Sequence, residues 1–294
     1  MAKHDAITLS SWQATGKNFI FNGFQIFYKE EGNGEALLCI HGFPTASRDW
    51  HLLWPELTKR FRVIAPDMLG FGFSAKPRQH IYSIHEQATL LEDLLQALEI
   101  SSAHILAHDY GDTVAQELLA RYHETRHSAA AKLQIKSVCF LNGGLFPETH
   151  RPRMIQKLLL SPLGPLLSRA LSQKSFAKSF SAIFGPHTKP SATELEEFWS
   201  LINYNSGKLL SHKLLHYMPE RKKFRSRWVG ALQQTQVPLR LINGTADPIS
   251  GEHMVKRYEE LVPHADVVRL QEIGHYPQLE DSEGVLRAYL EFID

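Results

Sequence analysis

The sequence predicts an α/β protein, a mostly parallel sheet flanked by helices with a helical cap inserted after the sixth strand. Three observations carry that prediction. Short apolar runs alternate with amphipathic helical patterns at both ends of the chain, the signature of parallel strands joined by crossover helices. Residues 144–234 interrupt the alternation with helix and loop patterns only, punctuated by Pro152, Pro162, Pro165, Pro186, Pro190 and Pro219. That segment also differs in charge. It carries 14 Lys/Arg against 5 Asp/Glu, a balance of +9, while the remainder of this chain of net charge +1 stands at −8. The expected organisation is therefore a core of residues 1–143 and 235–294, and a helical cap of residues 144–234.

The elements follow in order. Residues 18–30, NFIFNGFQIFYKE, alternate apolar and polar side chains around Asn22-Gly23, a strong hairpin signal. The run Ala36 to Ile40 reads as a buried strand ending in His41-Gly42-Phe43-Pro44, and a helix is expected through Trp50, Leu53 and Leu57. Residues 62–67 form a strand leading into the loop MLGFGFSAKP. Residues 83–99 place Ala88, Leu91, Leu94, Leu95 and Leu98 on one helical face. A strand through Ile105 to Ala107 precedes a helix reaching about Tyr122, and 136–142 is the next strand. After the insert come a strand at 238–243, a helix at 251–262, a strand at 266–273 and a closing helix at 284–293.

Composition bounds the function classes. A chain of 294 residues, 43% hydrophobic and 21% charged, has room for one large core with an insertion. The amino end MAKHDAITLSSW lacks an apolar signal-peptide core, and no apolar run approaches the ~18 residues of a membrane span. No membrane span and a cytoplasmic location are expected. Cys39 and Cys139 both fall in apolar strand runs, so they read as buried thiols of a reducing compartment. A small-molecule substrate, no cofactor, no metal, no nucleic-acid partner and a monomer or homodimer are expected.

The chain is organised around HILAHDYGDTVAQELL, residues 104–119. Ala107-His108-Asp109-Tyr110-Gly111 has the small-x-nucleophile-x-Gly spacing of a nucleophile elbow, with Asp where Ser usually stands. Small residues on either side let a strand turn sharply into a helix and hold the central side chain out into a cleft. In a parallel sheet the ligand sits at the carboxyl ends of the strands. Asp109, Asp247 in NGTADP and His275 in IGHYPQLED all fall at such ends, in the chain order nucleophile, acid, base of α/β-hydrolases.

Replacing Ser by Asp changes the chemistry. A carboxyl group of ordinary pKa, about 3.9, is already ionised at neutral pH and needs no base to attack. Its attack on an ester carbonyl gives an anhydride; its attack on a saturated carbon gives a stable alkyl ester. The histidine is then free to activate water against that ester. The backbone N–H groups of Phe43 and Tyr110 are placed to hold the resulting oxyanion. The chemistry points to C–O cleavage in epoxides or to C–halogen cleavage.

Other motifs read differently. His123-Glu124-Thr125-Arg126-His127 matches H-E-x-x-H, yet no third zinc ligand follows it. His41 and His108 are expected to hydrogen-bond behind the catalytic groups. The run Arg221, Lys222, Lys223, Arg225, Arg227 has the charge to bind an anion, but reads first as a solvated cap surface. GFGFS lacks the Lys-Ser/Thr ending of a phosphate-binding loop.

The segments HGFPT, PD-x-LGFGFS-x-KP and HDYGD resemble α/β-hydrolases of the epoxide hydrolase and haloalkane dehalogenase superfamily. HDYGDTVAQELL, NGGLFPETHRP, RKKFRSRWVGAL and HYPQLED are similar to the mesoderm-specific transcript group within it, from about residue 20 to the end. The resemblance implies the same roles: Asp109 nucleophile, Asp247 acid, His275 base, Phe43 and Tyr110 oxyanion donors. Haloalkane dehalogenases of this superfamily place Trp after the nucleophile and Asn after His-Gly, where this chain has Tyr110 and Phe43. Fluoroacetate-type enzymes place Arg after the nucleophile. Epoxide hydrolases use two cap tyrosines as ring-opening acids, and the segment resembling their Trp-Tyr pair reads Trp228-Val229 here. Tyr204, Tyr217 and Trp228 are the expected substrate contacts from the cap, the tyrosines as proton donors. An epoxide hydrolase is the first expectation and a dehalogenase the second; a retired hydrolase scaffold used for binding is the alternative of a different class.

Overall fold

The structure, a computed structural model, describes residues 7–128 and 130–294. Eight strands form one sheet in the order β1-β2-β4-β3-β5-β6-β7-β8: β1 (Lys17–Phe21), β2 (Phe24–Glu31), β3 (Glu35–Ile40), β4 (Phe61–Pro66), β5 (Ser102–His108), β6 (Gln134–Leu141), β7 (Leu239–Gly244) and β8 (Asp266–Leu270). β2 runs antiparallel to β1 and β4, and β3 through β8 are parallel. The hairpin turns on Asn22 (φ 50°) and Gly23 (φ 81°), two successive left-handed residues whose twist matches that of the flanking strands.

Helices cover both faces. Around the sheet lie α1 (Leu9–Ala14), α2 (Trp54–Arg60), α3 (Ile84–Ala97) and α4 (Tyr110–Thr125). Between β6 and β7 come α5 (Met154–Leu159), α6 (Gly164–Ala170), α7 (Gln173–Ser181), α8 (Ala192–Asn203), α9 (Ser211–Leu214), α10 (Tyr217–Lys223) and α11 (Arg225–Gln234). After β7 follow α12 (Glu252–Leu261), α13 (Pro277–Glu280) and α14 (Ser282–Ile293).

The strands read as continuous apolar runs because both faces are buried. In β3, Leu38 and Ile40 point into the layer with α3, α4 and α12, while Leu37 and Cys39 point into the layer with α1, α2 and α14. Cys39 and Cys139 are free and buried. One element escapes the sequence patterns. α1 is only six residues long, starts at the Thr8 cap and inserts Trp12 edge-on against Trp54, 4.8 Å between ring centroids. The helix expected through Trp50 to Leu57 is in fact a short 3-10 turn at Ser47–Trp50 followed by α2.

The segment between β6 and β7 packs against the carboxyl ends of the strands through its own aromatic cluster. Phe176, Phe180, Phe184 and Phe198 surround Tyr276, whose ring stacks on Phe184 at 5.3 Å. Contact is backbone to backbone as well, since the His275 N–H donates to the Ile183 carbonyl at 2.9 Å. At the far side α11 lies along α4. There the buried Glu117 of α4 accepts from Arg227 Nε (2.7 Å) and Trp228 Nε1 (2.8 Å) and also holds Arg121. Burial opposes the charge of Glu117, yet these donors outweigh it and pull the carboxyl down to about 2.

Candidate active site

The elbow forms where β5 stops. Asp109 has φ 47° and ψ −102°, a conformation that costs energy for any residue with a Cβ and that aims its carboxylate away from the helix it begins. Gly111 makes the turn possible: a Cβ there would stand 2.3 Å from the Ile40 carbonyl oxygen. Asp109 is 4% exposed.

Asp247 and His275 arrive from the ends of β7 and β8. His275 Nδ1 meets Asp247 Oδ2 at 2.7 Å, and its Nε2 lies 3.9 Å from Asp109 Oδ2. Asp247 is held from several sides. The Ile249 N–H donates to Oδ1 at 2.7 Å, and Ser250 Oγ and Asn142 Nδ2 donate to Oδ2 at 2.8 and 3.0 Å. Burial opposes its charge, but His275 and these donors keep the carboxyl below its ordinary range. Burial likewise opposes a charged His275, and the carboxylates of Asp247 and Asp109 overcome it, raising the imidazole to about 9.

The two expected oxyanion donors flank the carboxylate. The Phe43 N–H donates to Asp109 Oδ2 at 3.2 Å. Tyr110 is the first residue of α4, so its N–H is one of the four at a helix start that have no partner within the helix. His108, immediately before Asp109, binds the His275 carbonyl through Nε2 at 2.7 Å. Burial first, and then the charge of His275, push its imidazole down to about 3, so it serves as a neutral strut. His41 plays a similar part, its Nε2 accepting from the Met68 N–H at 3.1 Å.

A cavity of about 100 Å³ lies over Asp109 and His275. Its walls are largely apolar, among them Phe43, Ile155, Phe176, Phe180 and Ile249. Of the three expected substrate contacts, only Tyr217 is brought to Asp109. It is 2% exposed and its ring packs on Tyr110 (5.0 Å) and Phe43 (6.2 Å). Burial and then the charge of Asp109 drive its phenol far up, so the hydroxyl keeps its proton. Tyr204 lies elsewhere, edge-on to Phe73 (5.1 Å) and under Lys76 Nζ (5.2 Å). Trp228 spends its N–H on Glu117 and packs on Phe224. None of the three lines the cavity itself: Tyr217 sits behind Phe43 and Tyr110, α11 turns Trp228 toward α4, and the residues after α8 face the Gly-rich loop.

The residue that sequence patterns missed is Arg221. Placed in a run that reads as solvated surface, it is 2% exposed. Its Nη2 donates to the Asp109 carbonyl at 3.0 Å and stands 3.8 Å from Asp109 Oδ1, while Nε donates to Thr113 Oγ1 at 2.7 Å. The guanidinium also lies 4.5 Å from the Tyr217 ring centroid. Arg225 and Arg227 of the same run are spent on ion pairs with Glu148, and with Glu117 and Glu124. The one signal for Arg221 was its position one helical turn after Tyr217, which puts both on the same face of α10.

The H-E-x-x-H stretch does not form one helical face. α4 ends at Thr125, and His127 lies beyond it, accepting from Arg126 Nε at 3.1 Å. Among the described residues, no three His, Cys, Asp or Glu side chains are grouped to hold a metal ion.

A strand order with β2 antiparallel, a strained elbow after β5, and an acid and histidine after β7 and β8 together define the α/β-hydrolase fold. The chain matches that fold family over residues 35–282 and belongs to it. Mesoderm-specific transcript protein of Mus musculus is 47% identical over 297 residues, spanning 97% of this chain and 88% of that protein. A putative hydrolase of Mycobacterium tuberculosis, LipZ, is 36% identical over 280 residues, with 95% of this chain and 93% of that one covered. Among solved structures, the haloalkane dehalogenase DbeA of Bradyrhizobium elkani shares the fold with a TM-score of 0.79 at 20% identity, over 95% of this chain and 97% of that one.

Proposed function

We propose that the chain is a hydrolase that works through a covalent ester on Asp109, with an epoxide as its substrate. One observation carries the reading. An ionisable carboxylate on a strained elbow touches an amide donor, and an Asp-paired imidazole lies 3.9 Å from it, too far for the hydrogen bond that would activate a hydroxyl nucleophile.

In the first step an Asp109 oxygen attacks a saturated ring carbon, the C–O bond breaks, and the departing oxygen takes a proton from the Tyr217 hydroxyl. Arg221 beside that ring favours the transient phenolate. In the second step His275 removes a proton from water, the water oxygen attacks the Asp109 ester carbonyl, and the Phe43 and Tyr110 N–H groups hold the oxyanion. Collapse releases the diol and restores the carboxylate. Esterification also adjusts the base. Asp109 is one of the charges that raise His275, so once Asp109 is a neutral ester the imidazole gives up its proton, which passes to the Tyr217 phenolate and restores the phenol, and the neutral imidazole becomes the base of the second step. A haloalkane fits the same first step without a proton donor, but neither Phe43 nor Tyr110 offers a side-chain N–H to a leaving halide. Intact-mass detection of an ester on Asp109 tests the proposal; a scaffold retired from catalysis forms none.

A further inference from the structure

Among the described residues, seven large apolar side chains are exposed, and four of them fall within thirteen residues: Met154 (69%), Leu158 (44%), Leu163 (60%) and Leu166 (64%). Met154 and Leu158 lie one turn apart on α5; Leu163 and Leu166 share the outer side of the start of α6, which packs against α5. Isolated exposed leucines need no explanation, but a cluster on two adjoining short helices does.

The cluster sits in an acid-free tract. From residue 149 to 193 the chain has seven Lys/Arg and no Asp or Glu. Arg151, Lys157, Arg169, Lys174 and Lys178 are exposed, and no ion pair holds any of them among the described residues. An apolar patch rimmed by unpaired cations has the make-up of an interfacial membrane surface, where leucines enter the acyl boundary and cations meet anionic headgroups. A second copy of this chain would bring like charges together across the contact, which disfavours it.

We propose that α5 and the start of α6 dock this protein peripherally on an anionic lipid bilayer. The mouth of the cavity over Asp109 adjoins the same surface, because Arg153, Ile155 and Gln156 line that cavity beside Met154, and Ser179 of α7 lines it beside Lys178. A docked molecule therefore presents its apolar cavity to the membrane.

The test is co-sedimentation of the full chain with phosphatidylcholine vesicles, with and without roughly 30% phosphatidylserine. The wild type is expected to bind the anionic vesicles in a salt-sensitive manner and the neutral ones weakly. Leu163→Ser/Leu166→Ser and, separately, Lys157→Glu/Arg169→Glu are each expected to weaken binding by about tenfold or more, with an unchanged melting temperature because all four side chains are exposed. Failure of the wild type to bind, or full binding by both variants, overturns the proposal. So does a dimer in sedimentation velocity that the leucine variant abolishes, since that seats a second copy on the patch. None of these readouts depends on turnover.

Discussion

His275 offers its two ring nitrogens to two carboxylates at unequal distance: Nδ1 is 2.7 Å from Asp247, and Nε2 is 3.9 Å from Asp109. The short contact orients and charges the imidazole. In the proposed mechanism the longer one leaves the Asp109 carboxylate free to attack and the imidazole able to turn to water afterwards.

That charge has a consequence for stability. The imidazole is raised from its ordinary 6.5 to about 9 in the folded protein. A raised value means that the folded state binds the proton more tightly, so the stabilisation is complete below about pH 6.5 and fades as pH rises through about 9. Urea midpoints are expected to fall between pH 7 and 9.5 in the wild type, and less steeply in His275→Gln. Parallel curves for the two proteins would contradict a charged His275.

Asp247→Asn keeps the side-chain shape while removing the charge that supports the imidazole. Ester formation on Asp109 is expected to proceed nearly unchanged, while its hydrolysis slows by about 10²–10⁴-fold, the usual worth of a general base. Rapid-quench measurement of the two steps checks this. The neighbouring Asn142, which donates to Asp247 Oδ2 at 3.0 Å, cannot take over as acid. Full activity in the variant would remove Asp247 from the mechanism.

The placement of Asp109, Asp247 and His275 at neighbouring strand ends was legible because each is fixed by chain topology. A residue directly after a parallel strand falls at the carboxyl edge of the sheet, whatever its neighbours do. The helical segment between β6 and β7 was legible as a block, but its internal orientation was not. Tyr204, Tyr217 and Trp228 look alike in a sequence, and only the packing of α10, α11 and the residues after α8 separates the one near Asp109 from the two whose rings pack elsewhere. Arg221 was hidden by its basic neighbours, since periodicity alone does not say which cation in a run turns inward. α1 was hidden for another reason: with six residues it is too short to show a period, and it is held by Trp12 rather than by its own propensity.

Tyr217→Phe separates the two substrate classes. Removing the hydroxyl leaves the ring packing on Tyr110 and Phe43 intact. Alkylation of Asp109 by an epoxide is expected to slow by about 10²-fold or more, because the departing oxygen loses its proton donor. Alkylation by a haloalkane is expected to change little, since a halide leaves without a proton. Equal effects on both reagents would assign Tyr217 a purely structural part.

Intact-mass spectrometry of three proteins reads out whether Asp109 carries the proposed covalent intermediate. Wild type, His275→Ala and Asp109→Ala are each incubated with a panel of epoxides and haloalkanes. His275→Ala is expected to accumulate one adduct, mapped by peptide sequencing to Asp109, because attack needs only the carboxylate and release needs the base. Wild type is expected to turn over without accumulation, and Asp109→Ala to form no adduct. Labelling of Asp109→Ala at the rate seen in His275→Ala would contradict the account.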